Sequence, residues 1–322
     1  MVSGVNIKGI STCLPAQGEL NSNIDWIAEE LKTKLISTLG IDQRFVASTN
    51  GSLHYYAQHA CEDLLTNLKI DRSEIGFLIL VTQTGDSKIP NSVIQLQTSL
   101  ELPQQTLALE INMGCSGFVQ GMYTAQSLLH SSEKKYGLLV CGDLSSRLLE
   151  SKDTGTVPLF SDGVSATLLS KANESNTSYS FSNSAINGDA IAIKENANHS
   201  QYLKLDGHKI LRMGLQSVVP DVRSFMDSMD SRELDFYFFH QASKIINQTI
   251  IRKLGLSVDK CPETLSKYGN TSSATIPLTM STVSAMSEKS NNMLICGFGT
   301  GLSWATARLE LPPIDYLGII HK

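Results

Sequence analysis

Long hydrophobic runs are missing from this 322-residue chain. No stretch approaches the roughly eighteen apolar residues that a membrane-crossing helix needs, so no span is expected. Basic charge is also short, with 26 Lys and Arg against 31 Asp and Glu and a net charge of −5. That balance offers no cationic face and argues against nucleic-acid binding. The six cysteines (Cys13, Cys61, Cys115, Cys141, Cys261 and Cys296) include no C-x-x-C pair, and none has a His at metal-ligand spacing. Neither a structural metal nor a disulfide framework is expected. The first residues, Met1-Val2-Ser3-Gly4-Val5-Asn6, lack the charged and apolar regions of a signal peptide. The chain therefore reads as a cytoplasmic protein with reduced thiols.

What is present is an apolar fraction of 41% and a charged fraction of 18%, those of a packed globular protein. Strand-like runs fall at 4–12, 76–82, 106–112, 136–141, 164–169, 178–186, 234–239, 292–297 and 302–311. Helix-like segments fall between them at 53–68, 91–100, 116–129, 211–228, 243–254 and 276–286. This alternation predicts an α/β fold with buried sheets. The polar stretch Lys171–Ser178 is the best linker candidate. Leu138-Leu139-Val140-Cys141-Gly142 resembles Met293-Leu294-Ile295-Cys296-Gly297, an offset of 155. Glu74-Ile75-Gly76-Phe77 resembles Glu233-Leu234-Asp235-Phe236, an offset of 159. Two similar halves, 1–170 and 171–322, are expected to meet across a pseudo-twofold axis.

Cys115 stands where the strand over 106–112 turns through Met113-Gly114 into a helix. Unpaired N–H groups and the positive end of the helix dipole there favour a thiolate, so Cys115 is the candidate nucleophile. His240 ends an aromatic strand, Phe236-Tyr237-Phe238-Phe239. Asn270 follows Gly269, and the 155 offset sets its motif opposite Gly114-Cys115-Ser116. Taken singly, each has a blander reading: a buried structural thiol, a satisfied core histidine, a helix cap.

In combination the motifs resemble the ketoacyl synthase III branch of the thiolase-like superfamily. The likeness runs through Gly40-Ile41-Asp42-Gln43-Arg44, Gly114-Cys115-Ser116-Gly117-Phe118, Phe160-Ser161-Asp162-Gly163 and His240-Gln241-Ala242. It continues through Gly269-Asn270-Thr271-Ser272 to Gly297-Phe298-Gly299-Thr300-Gly301-Leu302-Ser303-Trp304. The resemblance implies a five-layer αβαβα thiolase-like fold of two duplicated halves, usually homodimeric. It implies that Cys115 is acylated by a thioester, with the backbone N–H groups of Cys115 and Thr300 as oxyanion hole. His240 and Asn270 would then donate hydrogen bonds to a malonyl thioester as CO2 leaves, and the carbanion would attack the acyl-cysteine. No permanently bound cofactor is implied; the substrates are acyl-CoA or an acylated acyl carrier protein, and malonyl-acyl carrier protein.

Departures from the family pattern sharpen the expectation. Ser243 stands where a second Asn usually touches the pantetheine arm, and Thr300 replaces a Gly. The Trp and Arg that usually clamp the adenine of coenzyme A are replaced by Lys34 and Thr154. A specialised member, drawing its acyl group from a carrier protein or from differently bound CoA, is expected. Arg212 matches a basic position used for carrier docking, and Lys244, Arg252 and Lys253 extend it. Ile89, in Ser87-Lys88-Ile89-Pro90, matches a residue that reaches into the partner's acyl pocket, and its small size predicts room for a longer chain. The competing expectations are transfer to an alcohol or amine on the same scaffold, or a non-catalytic subunit of a synthase.

Overall fold

The computed structural model describes residues 4–172, 177–196, 199–229 and 233–322. The first half contributes β1 (Gly4–Leu14), β2 (Gly18–Leu20), β3 (Gln43–Phe45), β4 (Ile75–Val81), β5 (Leu107–Ile111), β6 (Tyr136–Asp143) and β7 (Gly163–Ala172). Its helices are α1 (Glu29–Leu39), α2 (Leu53–Asn67), α3 (Ser92–Ser99) and α4 (Gly117–Ser131). The second half adds β8 (Ser178–Asn183), β9 (Ile191–Glu195), β10 (Gln201–Leu205), β11 (Phe236–Phe239), β12 (Asn291–Gly299), β13 (Ser303–Leu311) and β14 (Tyr316–His321). Its helices are α5 (Gly207–Met213), α6 (Val219–Asp227), α7 (Lys244–Leu254), α8 (Leu265–Tyr268), α9 (Thr275–Ser281) and α10 (Ala285–Glu288). Residues 173–176, the middle of the predicted linker, lie outside the described set.

Strand alternation explains the layering. Along β4, Phe77, Ile79 and Val81 point to one core and Leu78 and Leu80 to another. Along β12, Met293 and Ile295 share the first of these cores, while Leu294, Cys296 and Phe298 face a third. Both faces of each sheet are therefore buried, which is why these strands read as unbroken apolar runs. The central layer is α4 and α9, whose Phe118, Met122, Ile276 and Met280 fill the space between the sheets. Outside the first sheet lie α2 and α3, and outside the second lie α5, α6 and α7. This is the expected five-layer arrangement.

The duplication is visible in the pairing senses. In the first sheet β1 runs antiparallel to β7, β7 antiparallel to β6, and β6 parallel to β4. The run β8-β13-β12-β11 repeats those senses in order. Cys141 and Cys296 thus occupy equivalent strands, as the 155 offset implies. The halves diverge at the next segment. In the first, β5 joins its sheet beside β4 and leads to Cys115. In the second, the chain passes through α8 and bridges Asn270 to Phe160, leaving its own sheet for the first half. Two backbone bonds fix this crossing, Ser161 N to Asn270 O at 2.9 Å and Asn270 N to Leu159 O at 3.1 Å. The last strand, β14, also crosses back and pairs in parallel with β1.

Two predicted helices are interrupted. The segment 211–228 enters α5 late and passes through a π-turn at Gly214–Val218 before α6. Pro220 supplies no N–H for an α-helical bond to residue 216, which suits the wider turn there. The segment 276–286 is α9, a turn and α10. Among the described residues no helix is long and apolar enough to cross a membrane.

Candidate active site

Cys115 lies at the C-terminal side of β5, two residues before α4 begins. Gly299 leaves the thiol its place: a Cβ added there would lie 2.9 Å from Cys115 Sγ. Gly297 does the same for the backbone, 2.7 Å from Cys115 O. The loop after β12 is tied to this turn by Ser116 Oγ and Ser303 Oγ at 2.6 Å, and by Ser303 Oγ donating to Thr300 O at 2.8 Å. Thr300 is thereby held beside the Cys115 turn. The expectation of a ready thiolate needs correction. Burial pushes the Cys115 thiol up to about 12 and the Asp143 carboxylate adds to it. Hydrogen bonds with the Ser272 side chain and the residue's own N–H offset only part of this. Desolvation outweighs the helix N-terminus, so the resting group is a thiol.

His240 continues β11, its N–H donating to Cys296 O at 2.8 Å. Asn247 clamps its backbone, donating from Nδ2 to His240 O at 3.1 Å and accepting from Ala242 N at 3.3 Å. The ring packs edge-on against Phe298, with centroids 5.5 Å apart. Burial lowers the imidazole to about 3, so it is neutral at ordinary pH. Nδ1 lies 2.8 Å from Thr275 Oγ1, and that hydroxyl donates to Ser272 O at 3.0 Å. In this arrangement Nδ1 carries the proton and Nε2 is the basic nitrogen. Asn270 is both a cap and a donor. Its Oδ1 accepts from Ser272 N at 2.9 Å, leaving Nδ2 only a long contact of 3.4 Å to Ala242 O.

These groups meet in one cavity of about 940 Å3, lined by Cys115, His240, Asn270, Ser243 and Thr300. Its larger wall is apolar and comes from the β9–β10 hairpin, α5 and α7, through Leu203, Leu205, Ile210 and Ile246. A second cleft, of about 630 Å3 between β8 and α6, holds none of the candidate groups. Among the basic residues, Arg212 is exposed on α5 next to the lining residue Leu211, and Lys244 is half-buried against Gly40. Arg252 and Lys253 stand at the far end of α7, about 12 Å along the axis from Lys244, so the four do not form one cluster. None of the four lines the cavity. Ile89 is 92% exposed, at a loop beside the lining residue Lys88. Trp26 is not among the lining residues, whereas Thr38, Leu39 and Gly155 are.

Sequence reasoning missed four neighbours of the site. Asp143, at the end of β6, is 2% exposed. Its Oδ1 accepts from Thr82 Oγ1 (2.9 Å), Gln83 N (2.7 Å) and Thr84 Oγ1 (3.0 Å), while Oδ2 makes no hydrogen bond of normal geometry. Burial raises this carboxyl, and the bonds from Ser272, Gln83, Thr82 and Thr84 offset part of the rise. Gln83 and Thr275 are the second and third. Ser272 is the fourth, held at φ +54°, a left-handed backbone uncommon for a residue with a Cβ. Such strain at a site is consistent with a fixed functional geometry. Among the described residues no cluster of His, Cys, Asp and Glu could hold a metal ion.

Two family models match this chain. Residues 109–189 match the family model for 3-oxoacyl-[acyl-carrier-protein] synthase III, and residues 227–311 match its C-terminal model. The chain is 27% identical to a putative 3-oxoacyl-[acyl-carrier-protein] synthase 3 of Campylobacter jejuni, over 94% of this chain and 93% of that one. A solved 3-oxoacyl-(acyl-carrier protein) synthase of Burkholderia xenovorans superposes with a TM-score of 0.95 at 28% identity, covering 99% of this chain and 97% of that one. The corresponding synthase III of Pseudomonas aeruginosa superposes at 0.86 with 25% identity, covering 97% and 99%. With the thiol, imidazole and amide brought to one cavity at the seam of two duplicated halves, the chain belongs to the 3-oxoacyl-[acyl-carrier-protein] synthase III family of acyl-transferring condensing enzymes.

Proposed function

We propose that this protein takes an acyl group from a thioester onto Cys115 and condenses it decarboxylatively with malonyl-acyl carrier protein. The observation that carries the reading is the convergence of Cys115, His240, Asn270 and Thr300 on a single cavity. In the acylation step the neutral His240 accepts the thiol proton at Nε2 as Sγ attacks the thioester carbonyl. The proton then passes to the departing thiolate, so no net proton is consumed. The N–H groups of Cys115 and Thr300 receive the tetrahedral oxyanion. In the condensation step the malonyl thioester carbonyl accepts from Asn270 Nδ2–H and His240 Nε2–H. That role needs the other imidazole tautomer, with the Thr275 hydroxyl turned to donate to Nδ1. Loss of CO2 leaves an enolate on that oxygen, and its carbon attacks acyl-Cys115. The C–S bond breaks to give the 3-oxoacyl thioester and the Cys115 thiolate, which takes one proton from water to restore the thiol.

No permanently bound cofactor enters this scheme, and the acyl donor is an acyl-CoA or an acylated carrier protein. Lys34 and Thr154 in the adenine-clamp positions support a specialised pathway over initiation from acetyl-CoA. Arg212 at the cavity mouth is the docking point for the acidic carrier, with Ser243 touching its pantetheine arm and Lys244, Arg252 and Lys253 giving weaker, distributed attraction. We place the two halves at 1–170 and 171–322, with β14 returned to the first sheet. A homodimer is supported by β5, an edge strand paired on one side only, and by its exposed Leu107. In that dimer Ile89 of a second copy would close the acyl end of the cavity. The reading is tested by incubating the protein with acyl thioesters and malonyl-acyl carrier protein. A mass gain on Cys115 followed by CO2 release supports it; acylation without CO2 from any malonyl donor would sink the condensing step.

A further inference from the structure

At the C-terminal ends of β4, β5 and β6 the cavity changes character, and six polar side chains meet there. Gln83, Thr84, Asn112, Asp143, Ser145 and Thr300 all line it. They stand close to the nucleophile: a Cβ on Gly114 would lie 2.5 Å from Gln83 Oε1 and 2.8 Å from Thr300 Oγ1. Gln83 Nε2 reaches Asn112 Oδ1 at 3.3 Å, and Gln83 Oε1 accepts from Thr300 Oγ1 at 3.3 Å. These are long bonds that a ligand could shorten or replace. Beneath them the Oδ2 of Asp143 is buried with no hydrogen bond of normal geometry, only the Ser272 side chain acting on this carboxylate beyond its Oδ1 partners. Ser145 is 4% exposed and lines the same space.

Resting on the acylation of Cys115 proposed above, we infer that this polar pocket selects an acyl group carrying a hydroxyl near its thioester end. A hydroxyl both donates and accepts, so it can serve the Asp143 or Gln83 oxygen and receive a bond from Ser145. A plain alkyl chain would displace water from these groups and leave them unpaired, which is the situation a polar site rejects most strongly. The pocket therefore acts as the specificity determinant for the primer, separately from the apolar wall of the same cavity.

The test compares butyryl, 2-hydroxybutyryl and 3-hydroxybutyryl pantetheine thioesters, which remove any dependence on the carrier. Acylation of Cys115 in the full chain is followed by intact mass. At least one hydroxylated donor is expected to exceed butyryl at least about tenfold in kcat/KM. Gln83→Leu, at an exposed position, and Ser145→Ala should each shrink that ratio toward unity. Butyryl transfer as fast as both hydroxylated donors overturns the hydroxyl selection while leaving Cys115 acylation standing. An unchanged ratio in both variants overturns the assignment to these residues. No mass gain from any of the three donors overturns the acylation reading and this inference with it.

Discussion

The cavity wall built by the β9–β10 hairpin, α5 and α7 is Leu203, Leu205, Ile210 and Ile246, whereas the part at the ends of β4, β5 and β6 is Gln83, Asn112, Asp143 and Ser145. The two parts share one nucleophile but set different problems. The apolar wall excludes water, but its Leu and Ile side chains offer no hydrogen bond that could tell one cargo from another. The polar part costs desolvation whenever the wrong group fills it, so it discriminates. Grip and choice are thus assigned to different elements, and each can be altered without the other.

Cys115 sits between both parts, and Cys115→Ala should abolish acylation from every donor, read as loss of the mass gain. The next largest effect falls on the condensing pair. Asn270→Ala should leave Cys115 acylation within a few-fold but slow CO2 release about a hundredfold, since one oxyanion donor is worth about 3 kcal/mol. Comparable losses in both half-reactions would instead make Asn270 a positioning residue for the whole site. Leu205→Trp, which crowds the apolar wall, should raise KM for pantetheine thioesters about tenfold with the hydroxyl-to-alkyl ratio unchanged. A shift in that ratio would show that the two parts are not independent. Arg212→Glu should have the smallest effect, several-fold in kcat/KM with a carrier-protein donor and none with a pantetheine donor.

The thiol itself can be probed by pH. Because burial holds Cys115 protonated up to about 12, its alkylation by iodoacetamide should climb about tenfold per pH unit between 7 and 10. Peptide mapping distinguishes it from the other cysteines. A plateau across that range would mean that a thiolate–imidazolium pair forms in the resting site.

The layers were legible because both faces of each central strand are buried, so β4, β6, β12 and β13 stand out as short apolar runs between helical segments. The duplication was legible in Cys141 and Cys296, which proved to lie on equivalent strands. Cys115, His240 and Asn270 were singled out from strand ends and motifs, and the fold brings them to one cavity. The polar pocket was not legible. Gln83, Asn112 and the neighbours Asp143 and Ser145 come from the ends of three separated strands with no common spacing, and only the parallel alignment of β4, β5 and β6 collects them. Thiolate character was misjudged for a related reason: the helix N-terminus is visible in the sequence, but the burial that outweighs it is produced by Gly297 and Gly299, far away in the chain. The interruption at Gly214–Val218 was hidden because Pro220 is as compatible with a first helical turn as with a break.

The pairing of β14 with β1 has a consequence for how the chain is made. β1 leaves the ribosome long before its partner, since β14 follows every other strand among the described residues. Until β14 emerges, one edge of the first sheet offers its unpaired N–H and C=O groups to any passing strand. The antiparallel neighbour β7 closes only the other side. A nascent first half therefore folds with an open flank, and contacts of such long sequence separation form late. The birth of this enzyme is the moment when it is most exposed to aggregation.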